Sequence, residues 1–206
     1  MSDLVLTGWA GTLHGKMAAI TMPLMESYAN QHGMEFACAN LVGERAAAWM
    51  KVDAIHSMLS RHERVVWMDC DVVVLNGSRN VVDELGDGWH ALVQHDTECG
   101  LVPNSGVWVC SRHMLPVLES MWADGRNLDH PWWEQASLLE AMGYVVTDAP
   151  ASTLDTPTTL YRNTTFLGAE WNHHPRDARR VEQPLFLHVT QYADRLSVIK
   201  DAAEVS

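Results

Sequence analysis

The sequence predicts an α/β fold with a largely parallel central sheet. Short β-rich runs alternate with longer helical stripes from Leu4 onward, and hydrophobic residues make up 47% of the 206-residue chain against 19% charged. Alternation of this kind implies helical crossovers, and crossovers make neighbouring strands parallel.

Leu4-Val5-Leu6-Thr7 is the first strand. The following helix carries Met17, Ile20, Leu24 and Tyr28 at spacings of three and four; Gly33 is placed to stop it, and Pro23 leaves its start open. Met34 to Ala39 reads as a second strand, and Glu44 to about Leu59 as a second helix striped by Ala47, Ile55 and Met58. Arg64 to Met68 is a third strand running into Asp69-Cys70-Asp71. Val72 to Leu75, a turn at Asn76-Gly77 and a strand at Ala91 to Gln94 come next. Asn104-Ser105-Gly106 reads as a tight turn before a strand at Val107 to Cys110. A helix with Met114, Leu115, Leu118, Met121 and Trp122 follows, and another runs from near Pro131 to Gly143. Beyond Thr147 the chain reads as Pro- and Thr-rich loop, up to a last strand at Leu185 to His188. No repeat, linker or low-complexity segment interrupts it, so one domain over residues 1–206 is expected.

Charge narrows the function classes. With 14 Lys+Arg against 26 Asp+Glu the formal charge is −12, and no Lys/Arg run offers the counterion release that tight duplex DNA binding needs. No apolar stretch approaches the ~20 residues of a bilayer span, and no basic region followed by an apolar one opens the chain, so neither membrane insertion nor export is expected. The four cysteines, Cys38, Cys70, Cys99 and Cys110, form no CxxC pair and read as reduced core thiols of a cytoplasmic protein. Nine tryptophans and eleven histidines are high for this length.

The strongest chemical signal is Val65 to Leu75, where Asp69 and Asp71 interrupt an apolar run. In an extended chain alternate residues share a face, so the two carboxylates point together while Cys70 turns back to the core. Paired carboxylates at a strand end call for a cation, and hard oxygen ligands suit Mn²⁺ or Mg²⁺. Asp-x-Asp also marks solvated strand ends, but such ends do not require apolar residues on both sides. Lys51 sits on the apolar stripe of the second helix, where it either snorkels to solvent or reaches a diphosphate. Gln135, beside Glu134, lies at the N-terminal end of its helix, as a core amide or as a group facing an anion. His188 ends the last strand as a satisfied core histidine or a ligand. Trp171-Asn172-His173-His174-Pro175 is dense in rings and suits substrate contacts better than a zinc site.

In their order along the chain, Lys51, Asp69-Cys70-Asp71, Asn104-Ser105-Gly106-Val107-Trp108, Trp132-Trp133-Glu134-Gln135 and the late Trp171-Asn172 and Leu187-His188 resemble the GT-A type of nucleotide-sugar glycosyltransferase. The likeness is to its retaining galactosyl-, xylosyl- and mannosyltransferase branch, and it spans about residues 4 to 190, including Glu26 to Gly33, which looks like the family's first helix. It implies a Rossmann-like α/β/α sandwich and a metal-dependent transfer of a hexose or pentose, with retention, from a nucleotide-diphosphate sugar, UDP in preference to GDP. It also implies roles. Asp69 would help hold ribose and metal, Asp71 would ligate the metal and His188 complete its shell. Lys51 would contact the donor diphosphate or sugar, and Asn104 and Ser105 would line the sugar pocket. Glu134 and Gln135 would lie beneath the anomeric carbon, Thr7, Gly8 and Trp9 would wall the nucleotide, and His173 would join the donor site. Trp9, Trp108, Trp132, Trp133 and Trp171 are expected to rim one pocket. The family more often has Asp, or Pro followed by Asp or Glu, before the glutamine, and the chain is short for the class, which implies trimmed acceptor-binding segments. The acceptor stays open among a glycan, a protein, a small molecule and a modified nucleobase. Two rivals stand beside this reading: a non-catalytic nucleotide-sugar or carbohydrate binder, and a haloacid-dehalogenase-type phosphatase.

Overall fold

The computed structural model describes residues 2–98, 100–147, 151–174, 177–190 and 192–206. Its centre is a six-stranded sheet built from β1 (Asp3–Trp9), β2 (Glu35–Asn40), β3 (Arg64–Met68), β5 (His90–Thr97), β6 (Gly100–Ser111) and β9 (Thr164–Leu167), in the order β2-β1-β3-β6-β5-β9. The pairs β1–β2, β1–β3 and β5–β9 are parallel, and β6 alone runs against its neighbours. A ribbon of β4 (Val72–Val74) and β10 (Phe186–His188) and a hairpin of β7 (Tyr144–Thr147) and β8 (Ala151–Leu154) stand apart from it.

Both faces of the sheet are apolar because the strands alternate. Leu4 and Leu6, Val65 and Trp67, Leu92, Trp108 and Cys110 pack to one side. There they meet α2 (Ala47–Leu59), α3 (Leu115–Asp124) and α4 (Trp133–Met142) through Trp49, Ile55, Leu118 and Leu138. Val5, Val66, Met68, Val93, Val107 and Val109 face the other way, against Met25, Tyr28 and Ala29 of α1 (Thr12–Gln31) and against Val72, Val74 and Phe186 of the ribbon. Met17, Val73 and Ile199 then seat α6 (Arg195–Ala203) on α1 and β4. This is the expected α/β/α layering, in which period-two strands feed two cores at once.

Several local expectations change. Pro23 lies inside α1, not at its start, while Gly33 closes that helix with φ +66°, the left-handed conformation expected of it. Asn104-Ser105-Gly106 is not a turn. These residues belong to β6, where Leu92 pairs with Trp108 but Val93 pairs with Asn104, so Ser105 to Val107 bulge out of the ladder with β5 while Val107 stays paired with Met68 of β3. The segment expected as loop after Thr147 holds β8, the short helix α5 (Thr159–Arg162) and the sheet-edge strand β9. Cys70 and Cys110 are buried free thiols, but Cys38 is exposed on the edge strand β2, and Cys99 lies outside the described residues. Among the described residues no helix is long and apolar enough to cross a membrane.

Candidate active site

A cavity of about 520 Å³ opens where β1 and β3 end, next to the β6 bulge and the start of α4. That is the end of a mostly parallel sheet at which α/β folds place ligands.

Asp69 and Asp71 reach it by a turn, not by strand alternation. After Met68 the chain folds over, with the Val72 N–H donating to the Asp69 carbonyl (2.9 Å) and the Asp69 N–H donating to the Gly106 carbonyl of the bulge (2.8 Å). Cys70 is buried, but it also lines the cavity beside the two aspartates instead of turning wholly back to the core. His188 arrives from β10, paired opposite Val72. Its Nε2 lies 3.4 Å from Asp71 Oδ1 and 3.9 Å from Asp69 Oδ2, and the three side chains offer ligand atoms within 4.8 Å of one another. Two carboxylates and an imidazole are a donor set that Mn²⁺ or Mg²⁺ accepts. The third ligand fits because residue 106 is glycine: a Cβ there would sit 2.6 Å from His188 Nδ1 and closer still to Cε1.

Charge around the triad is tightly arranged. Burial raises the Asp71 carboxyl, but His188 and Arg195 outweigh it and hold the group at about 2. Burial lowers His188, yet Asp71 and Asp69 carry it above its ordinary value. Arg195, at the start of α6, donates to Asp71 Oδ2 (3.1 Å) and approaches His14 (3.5 Å). The Trp67 indole N–H donates to Asp69 Oδ1 at 2.6 Å.

Lys51 does not snorkel. Only 4% exposed, its ammonium lies 2.6 Å from Glu134 Oε1 and 3.3 Å from Asp69 Oδ1, and it donates to the hydroxyl and carbonyl of Ser105 at 3.2 and 3.3 Å. Burial works against its charge, but the two carboxylates overcome it and raise the ammonium above its usual range. Glu134 is equally buried and also accepts from Ser105 Oγ (3.0 Å). Gln135 points its Oε1 at the Asn104 amide nitrogen (3.2 Å) and the Ser105 N–H (3.3 Å). A backbone N–H fixes the facing atom as oxygen, so the side-chain oxygen is committed inward. Asn104 Oδ1 in turn accepts from Gly106 N–H and from Asn172, both at 2.9 Å.

The cavity therefore brings together Gly8, Trp9, Lys51, Asp69, Asp71, Asn104, Ser105, Glu134, Gln135 and His188. Thr7 and His173 are not on its wall: Thr7 is fully buried with no partner at its hydroxyl, and the residue that reaches the cavity from the ring-dense loop is His174. Pro175 of that loop lies outside the described residues. Of the five tryptophans expected at the rim, Trp9, Trp132 and Trp133 line it, whereas Trp108 and Trp171 are core residues. Trp108 packs in the sheet and donates to His90, and Trp171 packs edge-on against Phe186. Sequence reading missed Trp67, His14, His95 and Arg195. Trp67 was legible as the residue two before Asp69, on a strand that alternates. Arg195 carried a weaker signal, as the first helical residue after Asp194, whose side chain caps α6 by accepting from the Ser197 N–H.

No protein-family model matches this sequence, and no curated protein does either. Solved structures do. The chain is similar to a glycosyltransferase involved in the glycosylation of the major capsid of PBCV-1, with TM-score 0.71 and 16% identity over 100% of both chains. It is similar to the galactosyltransferase LgtC, solved with donor and acceptor sugar analogues, with TM-score 0.58 and 11% identity over 98% of this chain and 95% of that one. Mouse xyloside xylosyltransferase 1 gives TM-score 0.53 and 10% identity over 92% and 97%. The fold is thus the GT-A-like α/β fold of these glycosyltransferases.

Proposed function

We propose that the protein is a metal-dependent glycosyltransferase that moves a hexose or pentose from a nucleotide-diphosphate sugar, UDP in preference to GDP, to an acceptor hydroxyl with retention of configuration. One observation carries this reading: the Asp69, Asp71 and His188 triad opens into the same cavity as the buried Lys51–Glu134 pair and Gln135, on a fold shared with glycosyltransferases.

A sugar diphosphate reacts once charge developing on its leaving group is neutralised. When bound at Asp69, Asp71 and His188, Mn²⁺ or Mg²⁺ supplies that Lewis-acid charge. Asp69 also meets the ribose, while Gly8 and Trp9, with Leu41, Ala47 and Ala48 beside them in the cavity wall, hold the nucleotide. Lys51 is already paired with Asp69 and Glu134, which favours the donor sugar over the diphosphate as its contact; Arg195, on Asp71, is the better-placed cation for the diphosphate.

Retention is carried over from the resemblance to the retaining branch, and the nearby side chains bear on the route it would take. The Glu134 charge is neutralised by Lys51, and the Gln135 oxygen is committed to Asn104 and Ser105, so neither is a free nucleophile. With no free nucleophile for a covalent intermediate, a retaining transfer has the acceptor hydroxyl attack on the leaving-group face. The bond from C1 to the diphosphate oxygen breaks, a bond from C1 to the acceptor oxygen forms, and the acceptor proton passes to the departing phosphate. Gln135, held by Asn104 and Ser105, is left with its amide N–H groups to position the donor sugar at the reacting centre.

Thermal unfolding with UDP or GDP, with and without Mn²⁺, tests the reading. At 100 times Kd a ligand adds about 2.7 kcal/mol, which for this size raises Tm by roughly 5 to 10 °C. The largest shift is expected with nucleotide and metal together; no shift with either nucleotide rejects the proposal. Proton NMR of the product anomer tests retention, and the opposite anomer rejects it. A non-catalytic binder would show the shift without consuming any donor.

A further inference from the structure

We infer that the acceptor is itself a carbohydrate, seated on the indole face of Trp133; this rests on the glycosyltransferase reading of the cavity. Trp133 is the positive-φ residue other than glycine among the described residues, at φ 42°. A bulky side chain holds left-handed backbone only where its surroundings impose it. Here His130 imposes it. The Trp133 N–H donates to the His130 carbonyl (2.8 Å), the Trp132 N–H donates to His130 Nδ1 (3.0 Å), and His130 Nε2 bonds the Thr147 carbonyl (3.0 Å). With Nδ1 accepting, Nε2 carries the proton, so one tautomer ties the turn to β7.

The result is an indole left 45% exposed on the cavity wall while its neighbour Glu134 is buried. An indole held on strained backbone in a cavity wall, beside Pro131, Trp132 and Gln135, is a surface kept for contact. The nucleotide end already has Trp9, Leu41, Ala47 and Ala48. Trp133, with Trp132 and Pro131, lines the cavity from α4 on one face of the sheet. His95, Thr97 and Glu98 line it from the end of β5, and His174 from the segment before β10.

An aromatic wall with polar groups across from it is the pattern a sugar needs. The C–H face of a pyranose is apolar and weakly positive, which suits the negative face of an indole, and its hydroxyls need donors and acceptors around the edge. A nucleic-acid acceptor would bring phosphates to a wall that carries Glu98 and whose lysine, Lys51, is already paired, on a chain of net charge −12.

Saturation-transfer NMR with the methyl glycosides of galactose, glucose, mannose and xylose, in the presence of UDP or GDP and Mn²⁺, tests this. An N-acetylserine amide and free nucleosides serve as rival probes. The wild type is expected to pass saturation to at least one glycoside, most strongly to its ring C–H protons. Trp133→Ala and Trp133→Gly are both expected to weaken that affinity about fivefold or more, with Trp133→Phe keeping most of it. The glycine variant relaxes the backbone, so a loss common to both belongs to the indole. Nucleoside-diphosphate affinity, measured by calorimetry, stays within about twofold throughout. No saturation of any glycoside, binding of the serine amide or a nucleoside instead, or an equal loss of nucleotide affinity in Trp133→Ala overturns the inference. A wild type that binds no nucleoside diphosphate fails earlier, at the glycosyltransferase reading itself.

Discussion

Replacing Gly106 with alanine places a methyl group against the ring of His188 without replacing any ligand. The backbone at 106 is outside the left-handed region, so space is the whole difficulty. The new Cβ would lie 2.6 Å from Nδ1, where ordinary contact begins at 3.4 Å, and 2.9 Å from Asn104 Oδ1, which is itself bonded to the Gly106 N–H. The ring must therefore retreat by roughly 0.8 Å or more, away from the position that faces Asp71. Overpacking of this kind costs about 1 to 3 kcal/mol when the ring is forced back. Without metal the ring relieves that strain by moving; with metal it cannot, so the strain appears as lost affinity. Calorimetric Mn²⁺ titration should show a loss of about 5- to 150-fold, with the variant still folding cooperatively. Mn²⁺ affinity within about twofold of wild type would refute the placement of His188 as the third ligand.

Other consequences follow from the same charges. Lys51→Met leaves the buried Glu134 carboxylate without its cation and should cost about 3 to 5 kcal/mol in denaturant unfolding, with the double variant Lys51→Met, Glu134→Gln recovering part of it; additive losses would contradict the pair. Asp71 is lowered to about 2 from 3.8, so its roughly 2 kcal/mol of stability is present above pH 3.8 and lost as pH falls through 2; Asp71→Asn should remove that slope from acid unfolding curves. His188 is raised, so in metal-free protein its contribution is complete below pH 6.5 and disappears as pH rises through its folded value. Because the imidazole must shed that proton to bind metal, Mn²⁺ affinity should climb with pH above 6.5 and then level, and a flat profile would exclude His188 from the shell. Arg195→Leu frees Asp71 from its competing cation, so Mn²⁺ should bind more tightly and UDP more weakly; a parallel loss of both would show that Arg195 only supports the fold.

The sheet was legible because its strands are short apolar runs bounded by polar or turn residues, and Arg64 to Met68 coincides with β3. The paired aspartates were legible for the same reason, although what joins them is a turn held by Val72 and by Gly106, and local alternation cannot see a contact made from a distant strand. The bulge at Ser105 to Val107 escaped notice because Asn-Ser-Gly has the composition of a turn, and only pairing with β5 shows three residues left out of the ladder. Trp108 and Trp171 were misplaced since indole content alone does not tell a core ring from a rim ring. Strand β9, threonine-rich at a sheet edge, and α6, with Ile199 as its buried residue, carry too little apolar pattern to stand out, and Arg195 was lost with α6.

The most direct test is to follow a panel of UDP- and GDP-sugars by NMR with Mn²⁺, using wild type and Asp71→Asn at matched folded concentration. A glycosyltransferase built on this triad should release nucleoside diphosphate from at least one donor, by slow hydrolysis or by transfer, and the asparagine variant should be slower by roughly 100-fold or more. Donor consumption that survives Asp71→Asn or removal of metal, or no consumption of any donor by a wild type that binds nucleotide, would contradict it.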